Sequence, residues 1–161
     1  MVTPMTAEDW PSVRQIYEEG IATGNATFEK SAPDYDAWDR GHLSRCRLVA
    51  REDGEVAGWA ALSPVSSRCV YGGVAEVSVY VRETARGRGV GLALMKALVE
   101  ESEKAGIWTL QAGIFPENAA SIDVHGKVGF RIVGVREKLG VMDGRWRDVV
   151  LMERRSGVVG V

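Results

Sequence analysis

Residues Arg86-Gly87-Arg88-Gly89-Val90-Gly91 gather three glycines and two arginines into six positions. They follow an alternating apolar/polar run, Val74-Ala75-Glu76-Val77-Ser78-Val79-Tyr80-Val81, and precede a stretch with helical spacing at Leu94, Ala97, Leu98 and Glu101. A strand that turns on glycines into a helix is suited to binding an anion. The first turn of the helix offers unpaired backbone N–H groups, and the helix dipole adds partial positive charge there. Glycines allow positive φ angles and close approach of a ligand to the backbone. Arg86 and Arg88 add formal charge, so a pyrophosphate fits the turn on physical grounds. Two familiar phosphate loops are excluded. No Gly-Lys-Ser/Thr occurs, which removes the ATP-type loop. GxGxxG fails because Gly87, Gly89 and Gly91 are spaced by two and position 92 is Leu, and Gln111-Ala112 stand where an acidic ribose partner would be wanted.

Several elements must position this turn. Thr6 precedes Ala7-Glu8-Asp9-Trp10-Pro11 and predicts a helix running to Gly20, with Trp10, Val13, Ile16 and Tyr17 on one face. A loop, Asn25-Ala26-Thr27-Phe28-Glu29, leads to a weaker helix from Tyr35 to about Ser44, in which His42 reads as a surface residue. Strands are expected at 48–50 and 56–60, joined by the Asp53-Gly54 turn. In the run 74–81, Ala75, Val77, Val79 and Val81 face one side and Glu76, Ser78 and Tyr80 the other. Gly106 ends the next helix, Trp108 to Phe115 reads as a strand, and Asn118 caps a helix through Ile122 and His125. A strand from Gly129, a second turn at Asp143-Gly144 and a strand from Trp146 to Met152 complete the chain. The fold class implied is α/β (α+β), a central mixed sheet flanked by helices with antiparallel hairpins at both ends.

Bulk properties narrow the class further. The 161 residues fit one domain, with 45% apolar and 26% charged residues. A formal net charge of -2 argues against nucleic acid as the main partner. Cys46 and Cys69 stand apart with no ligand cluster around them, so no metal is expected. No basic run followed by an apolar segment opens the chain, and no stretch is long and apolar enough to span a bilayer. A cytoplasmic protein, with no membrane partner, is the expectation.

The turn Arg86-x-x-Gly89-x-Gly91 resembles the coenzyme A pyrophosphate loop of the GNAT superfamily of N-acetyltransferases. Asn118-Ala119-Ala120-Ser121 leading to Gly129-Phe130 resembles that superfamily's second motif. Asn25 to Glu29, Val74 to Val81 and Gly144-Arg145-Trp146-Arg147-Asp148 are similar to the phosphinothricin acetyltransferase group, which includes methionine sulfoximine and arsinothricin acetyltransferases. Gly106 to Asn118 and Arg136-Glu137-Lys138-Leu139-Gly140 are similar to the arsinothricin-type members. The likeness reaches about Arg155. It implies one domain over residues 1–155, followed by a loose tail, 156–161.

The resemblance implies a sheet that splays between its fourth and fifth strands, 74–81 and 107–115, where acetyl-CoA binds as co-substrate. The pantetheine arm would pair with Val79, Tyr80 and Val81. The pyrophosphate would lie on Arg86, Gly87, Arg88, Gly89, Val90, Gly91 and Leu92, and Asn118 would meet the coenzyme arm. Acetyl transfer needs a base to take a proton from the amine, and an acid can protonate the leaving thiolate. Glu76 is the candidate base. His125, where many members carry tyrosine, is the candidate acid. Phe28, Glu29, Arg68, Val70 and Tyr71 are candidate contacts to a small amine, expected to be an amino acid or a glutamate-like antimetabolite. Trp108 and Trp146 read as packing residues. A polyamine or protein N-terminal acetyltransferase, or a non-catalytic acyl-CoA-binding module, are the alternatives. The resemblance also implies a homodimer.

Overall fold

The computed structural model describes residues 1–161. Seven strands form a single mixed sheet in the order β1-β2-β3-β4-β5-β7-β6. They are β1 (Val2–Pro4), β2 (Leu48–Glu52), β3 (Glu55–Pro64), β4 (Val74–Val81), β5 (Thr109–Ile114), β6 (Arg131–Met142) and β7 (Arg145–Arg155). Four helices flank it: α1 (Trp10–Ala22), α2 (Tyr35–Gly41), α3 (Val90–Lys104) and α4 (Ala119–Lys127). Both expected hairpins form, and Asp53, Gly54, Asp143 and Gly144 all have positive φ, as a tight two-residue turn requires. β1 was not expected; three residues are too few to show periodicity, and they are held by pairing with β2.

The two faces of the sheet carry separate cores. On one, Ala60, Leu62, Ala75 and Val77 pack with Leu94 and Leu98 of α3. On the other, Val13 and Ile16 of α1 and Trp38 of α2 pack with Val49 and Trp59. Alternation along β4 therefore commits Ala75 and Val77 to the α3 face and leaves Glu76, Ser78 and Tyr80 on the α1 face. Tyr80 is fixed there by Trp59, with ring centroids 5.0 Å apart, and by Tyr17 at 4.9 Å. Gly20 lets α1 lie on that ring, since a Cβ there would come within 2.6 Å of it.

Every neighbouring pair of strands is antiparallel except β4 and β5, which run parallel. That pair holds together only at Val74↔Thr109, Ala75↔Leu110 and Glu76↔Gln111. Beyond it, β4 stays with β3 as far as Val81, while β5 follows β7 through Ile114. The sheet thus forks at Glu76, as expected of the splay.

Some expectations change. α2 ends at Gly41, and His42 is half-buried, stacked on Trp38 with centroids 4.3 Å apart. Trp108 does pack, across Gly73, where a Cβ would fall 2.0 Å from its ring. Trp146 does not; it is 62% exposed. The tail is tied rather than loose. Arg155 donates to the carbonyls of Ser156, Val159 and Gly160, and Ser156 is buried with its hydroxyl 2.7 Å from Glu103.

Candidate active site

The fork opens a cleft with two adjoining halves. One, of about 580 Å³, runs along Val79, Tyr80 and Val81 to Arg86, Gly87, Gly89, Val90, Gly91 and Leu92. The other, of about 400 Å³, is walled by Glu76 and Ser78 of β4, Gln111 of β5, Phe28 and Glu29 of the early loop, and Arg136 of β6. Ala26, Val79, Tyr80, Asn118 and Ser121 line both.

The first half is an anion site with an apolar approach. Gly87 and Gly89 have φ of 76° and 83°, a region closed to most side chains. Gly89 is the N-cap of α3 and no side chain caps it, so the amides of Val90, Gly91 and Leu92 lack an intrahelical acceptor. Arg86 lines this half with its Nε 3.4 Å from the Val81 carbonyl. Arg88 is turned out of the lining and pairs with Glu52 at 2.9 Å. This arrangement suits a diphosphate at the helix end and an extended chain along the unpaired edge of β4.

The second half contains Glu76 and His125. Glu76 is exposed to the cleft as the last residue of β4 paired to β5. His125 is only 2% exposed. Its Nδ1 lies 2.7 Å from the Ser121 carbonyl, and a carbonyl can only accept, so Nδ1 carries the proton. Nε2 is buried without a partner in the chain, and burial holds the ring below the ordinary histidine range despite that bond. The neutral ring therefore keeps a lone pair on Nε2. Burial also pushes the Tyr80 phenol well up, so it stays protonated.

Asn118 serves two structural ends at once. Its Oδ1 accepts from the Ser121 amide and caps α4, and its Nδ2 donates to the Asn25 carbonyl. Arg147, which the sequence offered only within the run Gly144 to Asp148 and with no role in the cleft, supports the same corner. It is 5% exposed and donates to the Gly24 carbonyl at 2.9 Å, to Asn25 Oδ1 at 2.9 Å and to Glu117 at 3.3 Å. The early loop is thereby held against residues 115–118. Phe28 packs on Phe115 with centroids 4.9 Å apart and touches Gly140.

Of the expected amine contacts, Phe28 and Glu29 line the cleft. Arg68, Val70 and Tyr71 do not: they form an exposed turn in which the Arg68 guanidinium lies 5.6 Å from the Tyr71 ring. Arg136 supplies the cation instead. A bulge accounts for its place. Arg136 pairs with Val149 and Gly140 with Arg147, so residues 137–139 lie opposite Asp148 alone. Asp148 accepts from the Lys138 amide at 2.8 Å, which fixes the bulge, and Leu139 joins the cleft wall.

Residues 10–130 match the model of the acetyltransferase (GNAT) family. The chain belongs to that family. It is 34% identical over 151 residues to an L-methionine sulfoximine/L-methionine sulfone acetyltransferase of Pseudomonas aeruginosa, covering 90% of this chain and 88% of that one. It is 35% identical to a phosphinothricin N-acetyltransferase of Alcaligenes faecalis, covering 91% and 78%. A GNAT superfamily phosphinothricin acetyltransferase from Sinorhizobium meliloti, solved in complex with acetyl-CoA, superimposes with a TM-score of 0.89 at 30% identity, covering 99% of this chain and 90% of that one. This GNAT chain contains no group of three or more side chains arranged to hold a metal ion, and no helix long and apolar enough to cross a membrane.

Proposed function

We propose that this GNAT protein transfers the acetyl group of acetyl-CoA to the α-amino group of a small amino acid or glutamate-like antimetabolite. The observation that carries this reading is the position of Glu76. It stands at the fork, where an unpaired strand edge leading from uncapped α3 amides meets a cavity sized for a small molecule. The diphosphate of the co-substrate would lie on the amides from Gly87 to Leu92, and its pantetheine arm along Val79, Tyr80 and Val81.

The amine nitrogen, uncharged, attacks the thioester carbonyl; the C–N bond forms and the C–S bond breaks. Glu76 takes the proton that nitrogen loses, directly or through a water, and the thiolate takes a proton from solvent water entering the open cleft. His125 is assigned a different part from the acid the resemblance implies. With Nδ1–H committed to Ser121 and burial opposing a second proton, its Nε2 accepts a hydrogen bond from a ligand N–H or S–H.

The β6 edge exposes Ile132, Val133, Val135 and Val141, with Trp146 beside them on β7. A row of this kind on an edge strand favours pairing with a second copy, and a homodimer through β6 and β7 goes with this reading. So do a cytoplasmic location and a role in resistance. The test is thiol release from acetyl-CoA with phosphinothricin, methionine sulfoximine, arsinothricin, ordinary amino acids and polyamines. Release with amino acids supports the proposal. Activity confined to polyamines or peptides rejects the substrate class, and coenzyme binding with no release from any amine identifies a non-catalytic module.

A further inference from the structure

Charge in the amine half of the cleft is unevenly matched. Its wall holds two carboxylates, Glu29 and Glu76, and one permanent cation, Arg136. Of the other arginines of the β6–β7 hairpin, Arg131 pairs with Glu153, Arg147 with Glu117 and Arg154 with Glu103, while Arg145 is unpaired but lies outside the cleft wall. The Arg136 side chain makes no ion pair or hydrogen bond in the chain, although it faces a cavity that also contains two carboxylates. The bulge at residues 137–139 sets Arg136 at the cavity wall. Glu76 lies three strands away, on the order of 14 Å across the sheet, and about 13 Å along it, since Glu76 is level with Glu153 of β7 and Arg136 with Val149; both side chains border the same space.

We propose that Arg136 receives the substrate's carboxylate, and that the preferred acceptor is a monocarboxylic amino acid whose side chain bears no negative charge. The inference rests on the acetyl-transfer reading and narrows it. A guanidinium binds a carboxylate through two parallel N–H donors, which fixes direction as well as charge. With its carboxylate on Arg136, the amino acid presents its amine towards Glu76. A second anion, such as a phosphinate, finds no further cation in this wall and meets the field of Glu29. That field reaches the floor of the cleft. After burial, the Glu29 charge is among the causes that push the Tyr17 and Tyr80 phenols up. A sulfone or sulfoximine head, being uncharged, escapes that repulsion.

The experiment measures thiol release by the full chain with methionine sulfone, its decarboxylated amine, phosphinothricin and spermidine. R136Q is expected to raise the KM for methionine sulfone about tenfold or more, the scale of one lost charge-assisted contact. It should leave the KM for acetyl-CoA and the rate with the decarboxylated amine unchanged. R136K, which keeps charge but not the fork, should fall between and also guards against a folding defect. Wild-type kcat/KM should favour methionine sulfone over phosphinothricin by about tenfold, and E29Q should narrow that gap. Equal loss with and without the carboxylate, or phosphinothricin turned over as well as methionine sulfone, overturns the inference while leaving acetyl transfer intact. Turnover of spermidine alone overturns the amino acid reading itself, and no turnover of any amine overturns both.

Discussion

The guanidinium of Arg147 lies 4.0 Å from the centre of the Phe115 ring, and Phe115 in turn meets the edge of Phe28. A buried cation is thus stacked on one wall of the cleft while its N–H groups hold the early loop that forms another. R147M should cost about 2–3 kcal/mol, because the Gly24 carbonyl and Asn25 Oδ1 lose their donor in a buried setting. It should also raise the KM for the amine more than that for acetyl-CoA. R147K should recover part of both. Denaturant melts with paired steady-state kinetics check this, and a lowered midpoint with unchanged KM values would limit Arg147 to scaffolding.

Removing the proposed base is predicted to separate binding from turnover. Glu76→Gln should leave the Kd for acetyl-CoA unchanged, since the side chain borders only the amine half, and lower kcat by on the order of 10²–10⁴. Isothermal titration beside a thiol-release assay reads both. A variant with wild-type kcat would remove Glu76 from the mechanism.

The state of His125 has a pH signature. Burial lowers its folded pKa below the ordinary value of about 6.5, so the folded protein holds fewer protons on this ring than the unfolded chain does. Its contribution is fully present above pH about 6.5 and is lost as pH falls through that value to the lowered one. Urea unfolding at a series of pH values should show wild type losing more stability over this window than His125→Gln. Turnover should fall in the same window. A rate that rose on acidification through it would mean that an imidazolium acid is needed.

Gly140 is predicted to act on the site through Phe28. A Cβ there would come within 2.8 Å of the phenyl ring, so Gly140→Ala must displace it from the amine half. The KM for the amine should rise several-fold with the coenzyme half untouched. Gly89→Ala should do the reverse. Its Cβ meets nothing, but a φ of 83° strains alanine by about 1 kcal/mol and alters the amides above α3. A KM for acetyl-CoA no different from wild type would show that these amides do not hold the diphosphate.

The parts of the site that could be read from the sequence are those that local patterns specify. Alternation placed Glu76 and Tyr80 on one face of β4, turn glycines marked the start of α3, and Asn118 announced a cap that the structure contains. Arg68 misled because nearness to Glu76 in sequence suggested nearness in space, whereas the turn at Cys69–Tyr71 stays outside the cleft. Arg136 and Arg147 were hidden for a related reason. Their positions depend on how β6 and β7 register around a bulge, and a bulge held by Asp148 and a Lys138 residue at φ 48° has no glycine to signal it. His42 and Trp146 exchanged their expected environments because burial is decided by which helix or strand lies opposite.

The five residues shared by the two halves of the cleft set the two chambers side by side along the fork. A molecule with an amino acid's nitrogen already joined through a two-carbon bridge to the sulfur of coenzyme A would fill the whole fork as one ligand. Its second part would bind at an effective concentration in the millimolar range, set by the tether rather than by the solution. Such a bisubstrate compound would outbind either fragment alone, and its amino acid portion could be varied to map the chamber without any catalytic turnover.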